Sequence, residues 1–147
     1  MGTVMFLFLA FCGTNIAYVF GGSGPISPEP TIYVALAFGF SLLVNAWIFF
    51  RVSGSLFNPA VSLGMFLVGQ IGPVRAVLAT IAQIIGGIVA AAMCSVLLPG
   101  NMVVDTKLGE GMSVSRGLFL EMFMTAELVL TILMVHPTLS SKVKSDG

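Results

Sequence analysis

Charged residues are scarce in this sequence and make up only 8% of its 147 residues. Soluble globular domains carry about 25% charged residues, so this chain lacks the polar groups that would cover a water-exposed surface. Hydrophobic residues account for 57% of the chain, and its 12 phenylalanines argue against intrinsic disorder. The composition therefore predicts an integral membrane protein.

The residues that usually build charged, metal or catalytic sites are also few. Six basic and six acidic residues give a formal net charge of zero, which leaves no electrostatic footprint for a nucleic acid. Cys12 and Cys94 both lie in apolar segments, which argues against a disulfide framework or a zinc site. The single histidine, His136, has no accompanying nucleophile or metal-ligand set. We therefore predict neither an enzyme nor a bound cofactor or metal ion.

Four apolar segments are long enough to cross a bilayer, which takes about 20 residues per helix. They cover residues 3–20, 31–50, 76–98 and 117–135. Their continuous hydrophobicity argues against strands. A cleavable signal peptide is the alternative interpretation of the first segment, and the absence of any basic residue before Arg51 argues against it.

The basic residues predict how these helices are oriented, because cytoplasmic segments of membrane proteins are enriched in Lys and Arg. With the N-terminus in the cytoplasm, four basic residues fall on the cytoplasmic side and two on the other side. The first set is Arg51, Arg75, Lys142 and Lys144, and the second is Lys107 and Arg116. We therefore expect both termini to be cytoplasmic.

An apolar segment between the second and third spans is too short to cross the membrane. The motif at its start, residues 53–61, reads Ser-Gly-Ser-Leu-Phe-Asn-Pro-Ala-Val. Asn58 is a favourable N-cap residue and Pro59 suits the first helical position. Gly69 is a typical residue just beyond a helix end. The pattern predicts a short helix over about residues 58–68.

Two interpretations of this short helix are open from its residues alone. It is either a re-entrant half-helix that lines a pore or a capped helix that lies on the membrane surface. In a pore, the preceding loop would present carbonyl acceptors, while the Asn58 amide and the helix N-terminus would donate hydrogen bonds to water. The positive end of the helix would also oppose the passage of cations.

The motif and its surroundings resemble the aquaporins, the major intrinsic protein family, and most closely the fungal members. Further positions that match the family in order are Gly2-Thr3, Ala37-Phe38-Gly39, Phe49-Phe50-Arg51-Val52, Gln83 with Gly86 and Ala90, and Glu121 with Thr125. The resemblance covers nearly the whole chain. It implies an all-α membrane protein with four transmembrane helices and one re-entrant half-helix, which is an incomplete form of the family's inverted-repeat fold.

The resemblance also implies a passive channel for water or small neutral solutes, embedded in the lipid bilayer as a homo- or hetero-tetramer. The implied pore-lining residues are Phe38, Gly54, Ser55, Leu56, Asn58, Pro59 and Ala60. Asn58 would donate to a passing water, and Phe38 would form the aromatic part of the narrow filter, where phenylalanine is typical of water-selective members. Gln83 and Glu121 would support the re-entrant loop.

The chain departs from the family pattern in two respects. Leu56 and Arg51 stand where many members carry histidine, and a second Asn-Pro-Ala with its filter arginine is absent. We therefore expect a single truncated domain over residues 1–147, in which one copy leaves the loop carbonyls and Asn58 facing lipid or an incomplete cavity. The alternative interpretation is a non-conducting membrane protein that associates with full-length channel subunits or has no activity.

Overall fold

The computed structural model describes residues 1–20, 28–98, 104, 108 and 111–145. Within these residues the chain forms helices and no strands. The helices are α1 (Gly2–Phe20), α2 (Pro28–Ser53), α3 (Pro59–Leu67), α4 (Pro73–Leu97) and α5 (Val114–Ser145). The position of Lys107 lies outside the described residues, as do the side chains of Lys142 and Lys144.

Four of these helices, α1, α2, α4 and α5, are long and apolar enough to cross a membrane. The prediction of an all-α membrane protein is thereby confirmed. The apolar part of α5 ends at Val135, and the helix itself continues through the polar residues that follow, as far as Ser145.

Helix α1 packs against both α2 and α4. Its contact with α2 is close at Gly13, where an added Cβ would lie 2.5 Å from the Cβ of Ala37. On the other side of α1, the Sγ atoms of Cys12 and Cys94 lie 3.9 Å apart, and both thiols are free. Small side chains therefore let α1 lie between two membrane-spanning neighbours.

The short helix α3 packs against α4 and α5 rather than lying free on a surface. Val61 and Met65 of α3 form a buried apolar cluster with Leu56, Ile71 and Ala76. Four partly buried residues of α5 pack against this cluster: Leu128, Val129, Ile132 and Leu133. Gly64 permits this approach, since an added Cβ there would lie 2.7 Å from Cγ1 of Val129. This packing favours the re-entrant interpretation of α3.

Candidate functional site

Asn58 caps the N-terminus of α3 in the way that its sequence predicts. Its backbone is extended, with φ −129° and ψ 130°, and its Oδ1 accepts a hydrogen bond of 2.9 Å from the amide of Ala60. Pro59 follows at the first helical position. Among the described hydrogen bonds none uses Nδ2 of Asn58, so its two N–H groups are available as donors.

The loop before Asn58 turns sharply through two consecutive left-handed residues. Gly54 has φ 73° and Ser55 has φ 58°, a conformation that L side chains rarely adopt. The hydroxyl of Ser55 donates a hydrogen bond of 2.5 Å to the carbonyl of Ala46 in α2. The carbonyl of Ser53, one residue before the turn, accepts a hydrogen bond of 3.2 Å from Nη2 of Arg75. The strained turn is thus anchored to α2 and α4.

A buried hydrogen-bond network joins the rest of the loop to α4. Nε2 of Gln83 donates to the carbonyl of Leu56 and to Oγ of Ser62, each at 2.9 Å. The Ser62 hydroxyl in turn donates to the carbonyl of Asn58 at 3.2 Å, and the same carbonyl accepts from the Ser62 amide at 3.0 Å. Gln83 and Ser62 thus satisfy the carbonyls of Leu56 and Asn58 inside the chain, so neither of these two carbonyls is unpaired, although both residues border the cavities described next.

A cavity of about 500 Å³ brings the predicted aromatic position and the predicted donor together. Phe38 of α2 lines it together with Asn58 and Pro59, and Gln83 forms part of its wall. A second cavity of about 740 Å³ shares Gln83 with the first and extends to Arg75 at the start of α4. The loop and the N-terminus of α3 therefore border open space on the side of α1 and α2.

The other predicted site residues differ in burial and in whether they line a cavity. Ala60 lies half-buried in the first turn of α3, while Gly54 and Ser55 are half-buried and line neither of these two cavities. The side chain of Leu56 is part of the buried cluster under α3. Glu121 is exposed on α5, and no described hydrogen bond joins it to the loop.

Four aromatic residues in the cavity wall or in contact with its rings had no role assigned from the sequence. Phe57, directly before Asn58, stacks on Phe6 with ring centroids 6.1 Å apart and meets Phe49 edge-on at 6.2 Å. Phe6 and Phe11 each meet Phe38 edge-on, at 6.3 Å and 6.4 Å. These contacts join different helices, so only the position of Phe57 beside the tripeptide was a signal available in the sequence.

A comparison of the chain with protein families agrees with the four spans and with the half-helix that begins at the Asn-Pro-Ala tripeptide. The family model described as Major intrinsic protein matches residues 1–146. The chain belongs to the major intrinsic protein family. Membership of this family, abbreviated MIP, agrees with the four helices that are long and apolar enough to cross a membrane.

Fungal members of the MIP family are among the chain's relatives, as the sequence predicted. It is 52% identical to Aquaporin-7 and 52% identical to Aquaporin-2 of Botryotinia fuckeliana, over 91% and 92% of its own length. It is 47% identical to Aquaporin-1 of Gibberella zeae over 89% of its length. The matched regions cover 31%, 37% and 42% of these three relatives, so this MIP chain spans less than half of each.

Proposed function

We propose that this chain forms one half of a passive, non-enzymatic passage for water or small neutral solutes across a membrane. The observation that carries the proposal is that Phe38 and Asn58 line one cavity, with Asn58 at the N-terminus of α3. Asn58, whose Nδ2 donors have no described partner, lines this space at a helix end that also carries a partial positive charge. Such a site donates hydrogen bonds to water and disfavours cations.

The roles of the other site residues follow from their contacts. Gln83 holds the loop by its bond to the carbonyl of Leu56. Gly54 and Ser55 line neither cavity of this half, so their carbonyls are proposed to reach the passage only in the complete channel. Glu121 is proposed to support a loop of the complete channel rather than a group inside this half, since it is exposed on α5.

The proposed surroundings of the chain are a lipid bilayer and neighbouring channel subunits. Arg51 ends α2 and Arg75 begins α4, so both lie at the same end of the helices, whereas Arg116 lies in the first turn of α5. This distribution supports cytoplasmic termini. A tetramer of such subunits is the assembly that the family resemblance implies.

Hydration of Asn58 tests the passage without requiring conduction. Asparagine side chains labelled with ¹⁵N are observed by solid-state NMR in bilayers, with magnetisation transferred from water. Asn45 is the internal control, because it is only 1% exposed and its Nδ2 donates to the Ser41 carbonyl at 2.8 Å. We expect rapid transfer to Asn58 and slow transfer to Asn45. Equally slow transfer to both would overturn the proposal.

Stopped-flow swelling of vesicles tests whether the chain conducts by itself. If it does, vesicles with the chain swell faster than empty ones, and Asn58→Asp slows them, because a carboxylate accepts where the amide donates. Gln70→Glu makes the same amide-to-acid change at an exposed loop position and should leave swelling unchanged.

An alternative function is association with full-length channel subunits without conduction by this chain. The apolar stretch of α5 supports it, since none of that window is buried within the chain. Co-purification of the tagged chain with a full-length relative, together with swelling equal to that of empty vesicles, is the result expected for this alternative.

A further inference from the structure

Phe6 of α1 is the ring that joins the two parts of the proposed passage. It contacts Phe38 edge-on, with an interplanar angle of 78°, and stacks on Phe57 with an angle of 25°. Phe38 and Phe57 both line the cavity, and Phe57 directly precedes Asn58 in the chain. The described ring contacts therefore run from Phe38 to the tripeptide loop through a single side chain.

The position of Phe6 is itself fixed by contacts outside the ring cluster. The hydroxyl of Ser41 in α2 donates a hydrogen bond of 2.6 Å to the carbonyl of Phe6, which sets the register of α1 against α2 at this residue. Phe6 also lines the cavity beside Phe38 and Asn58. The hydrogen bond fixes the backbone of Phe6, and the contacts of its ring with Phe38 and Phe57 hold the ring beside the passage.

These contacts make the orientation of Phe38 dependent on Phe6. Phe38 is only half-buried, and the described rings that touch it are those of Phe6 and Phe11. Aromatic rings prefer edge-to-face contacts with defined geometry, so two such contacts favour one orientation of a half-buried ring. Without the ring of Phe6, Phe38 keeps one of these contacts, and the space that the ring leaves opens into the cavity at Asn58.

We infer that Phe6 is a positioning residue that sets the width of the passage by holding Phe38 and Phe57, and so excludes solutes bulkier than water. This inference rests on the proposed function, since it assigns the part of the same cavity that determines size. It predicts that the size preference of the passage depends on the aromatic ring of Phe6 and not on the hydrophobicity of the side chain.

A thiol reporter tests this inference independently of conduction. In a background with Cys12→Ala and Cys94→Ala, Gly39→Cys places a thiol in the cavity wall, where an added Cβ meets no atom within 4 Å. Its reaction rates with a small and a bulky methanethiosulfonate reagent are measured in bilayers. With Phe6 intact, we expect the small reagent to react much faster than the bulky one.

Replacement of the ring should lower this preference for the small reagent. Phe6→Leu is expected to reduce the ratio of the two rates by about three- to tenfold, whereas Phe6→Tyr, which keeps the ring, should restore it. Phe40→Leu is the matched control, because Phe40 lies on the same helix as Phe38 but is 61% exposed. It should leave the ratio unchanged.

The possible outcomes separate this inference from the proposed function and from plain packing. An unchanged ratio in Phe6→Leu, whether or not its unfolding temperature falls, would overturn the inference and leave the hydration of Asn58 as a separate test of the passage. An equal loss of size preference in Phe6→Leu and Phe6→Tyr would also overturn it. Loss in Phe6→Leu with retention in Phe6→Tyr and Phe40→Leu supports it.

Discussion

Nε2 of Gln83 lies 2.9 Å from the carbonyl oxygen of Leu56, which places a side chain of α4 in contact with the loop two residues before Asn58. Gln83 is 4% exposed, so this bond is buried within the chain. A loop carbonyl in an apolar interior needs such a donor, because leaving it unpaired is unfavourable. The loop conformation therefore depends on α4 as well as on its own residues.

Gln83→Leu should destabilise the fold by about 1–2 kcal/mol, because the carbonyl of Leu56 and the hydroxyl of Ser62 both lose their buried donor. The measurement is the free energy of unfolding by SDS titration. Gln70→Leu makes the same substitution at an exposed position and is expected to change stability by less than about 0.5 kcal/mol. Equal effects of the two substitutions would contradict the role of the network.

Substitutions at Ser55 should separate backbone strain from side-chain anchoring. Ser55→Ala removes the bond to the Ala46 carbonyl and keeps the left-handed strain, so we expect a loss of about 1 kcal/mol. Ser55→Gly removes the bond and relieves the strain, so it should be more stable than Ser55→Ala by about 1 kcal/mol or more. Unfolding of the two variants under identical conditions measures the difference, and an alanine variant as stable as the glycine variant would refute the strain.

Gly64 should tolerate no larger side chain, because α3 and α5 meet there. Gly64→Ala puts a methyl group against Val129 and is expected to destabilise the chain by about 1–3 kcal/mol. Gly39→Ala is the control, since an added Cβ there meets nothing within 4 Å and a helical alanine is favoured over glycine by up to about 1 kcal/mol. The sign of the stability change distinguishes the two positions.

Met65 is expected to contribute more to stability than its neighbour Leu67 on the same short helix. Met65 is 1% exposed within the cluster under α3, whereas Leu67 is 73% exposed. Met65→Ala should therefore cost about 2–5 kcal/mol, and Leu67→Ala should have a much smaller effect. Similar losses for both substitutions would show that α3 is not packed as described.

Much of this architecture could be predicted from the sequence, because the relevant signals are local. Hydrophobic length indicates the four spans, and Asn58 followed by Pro59 indicates where α3 begins. The contacts of Gln83 and Phe6 could not be derived in this way, since each joins helices that are distant along the chain. A glutamine in an apolar run predicts a polar partner but does not identify the carbonyl of Leu56 as that partner.

Leu56 illustrates a second limit of the sequence. The family pattern implies that its carbonyl lines the pore, which stays a prediction, but no local pattern indicates that its side chain is buried in the cluster of α3 or that its carbonyl accepts from Gln83. The left-handed turn just before Leu56 turns the backbone, and so decides which groups face inward. Turn geometry at two residues thus outweighs what residue type alone suggests.

Among the described helices α3 packs against α4 and α5, and this choice of partners has a consequence for synthesis. Both partners of this short helix are made after it, while α1 and α2 can pair as soon as both have entered the membrane. When α3 leaves the ribosome, α4 and α5 have not yet entered the membrane, so neither Gln83 nor the apolar face of α5 can contact it. We therefore expect the final packing of the re-entrant segment to be coupled to completion of α5 rather than to its own translation.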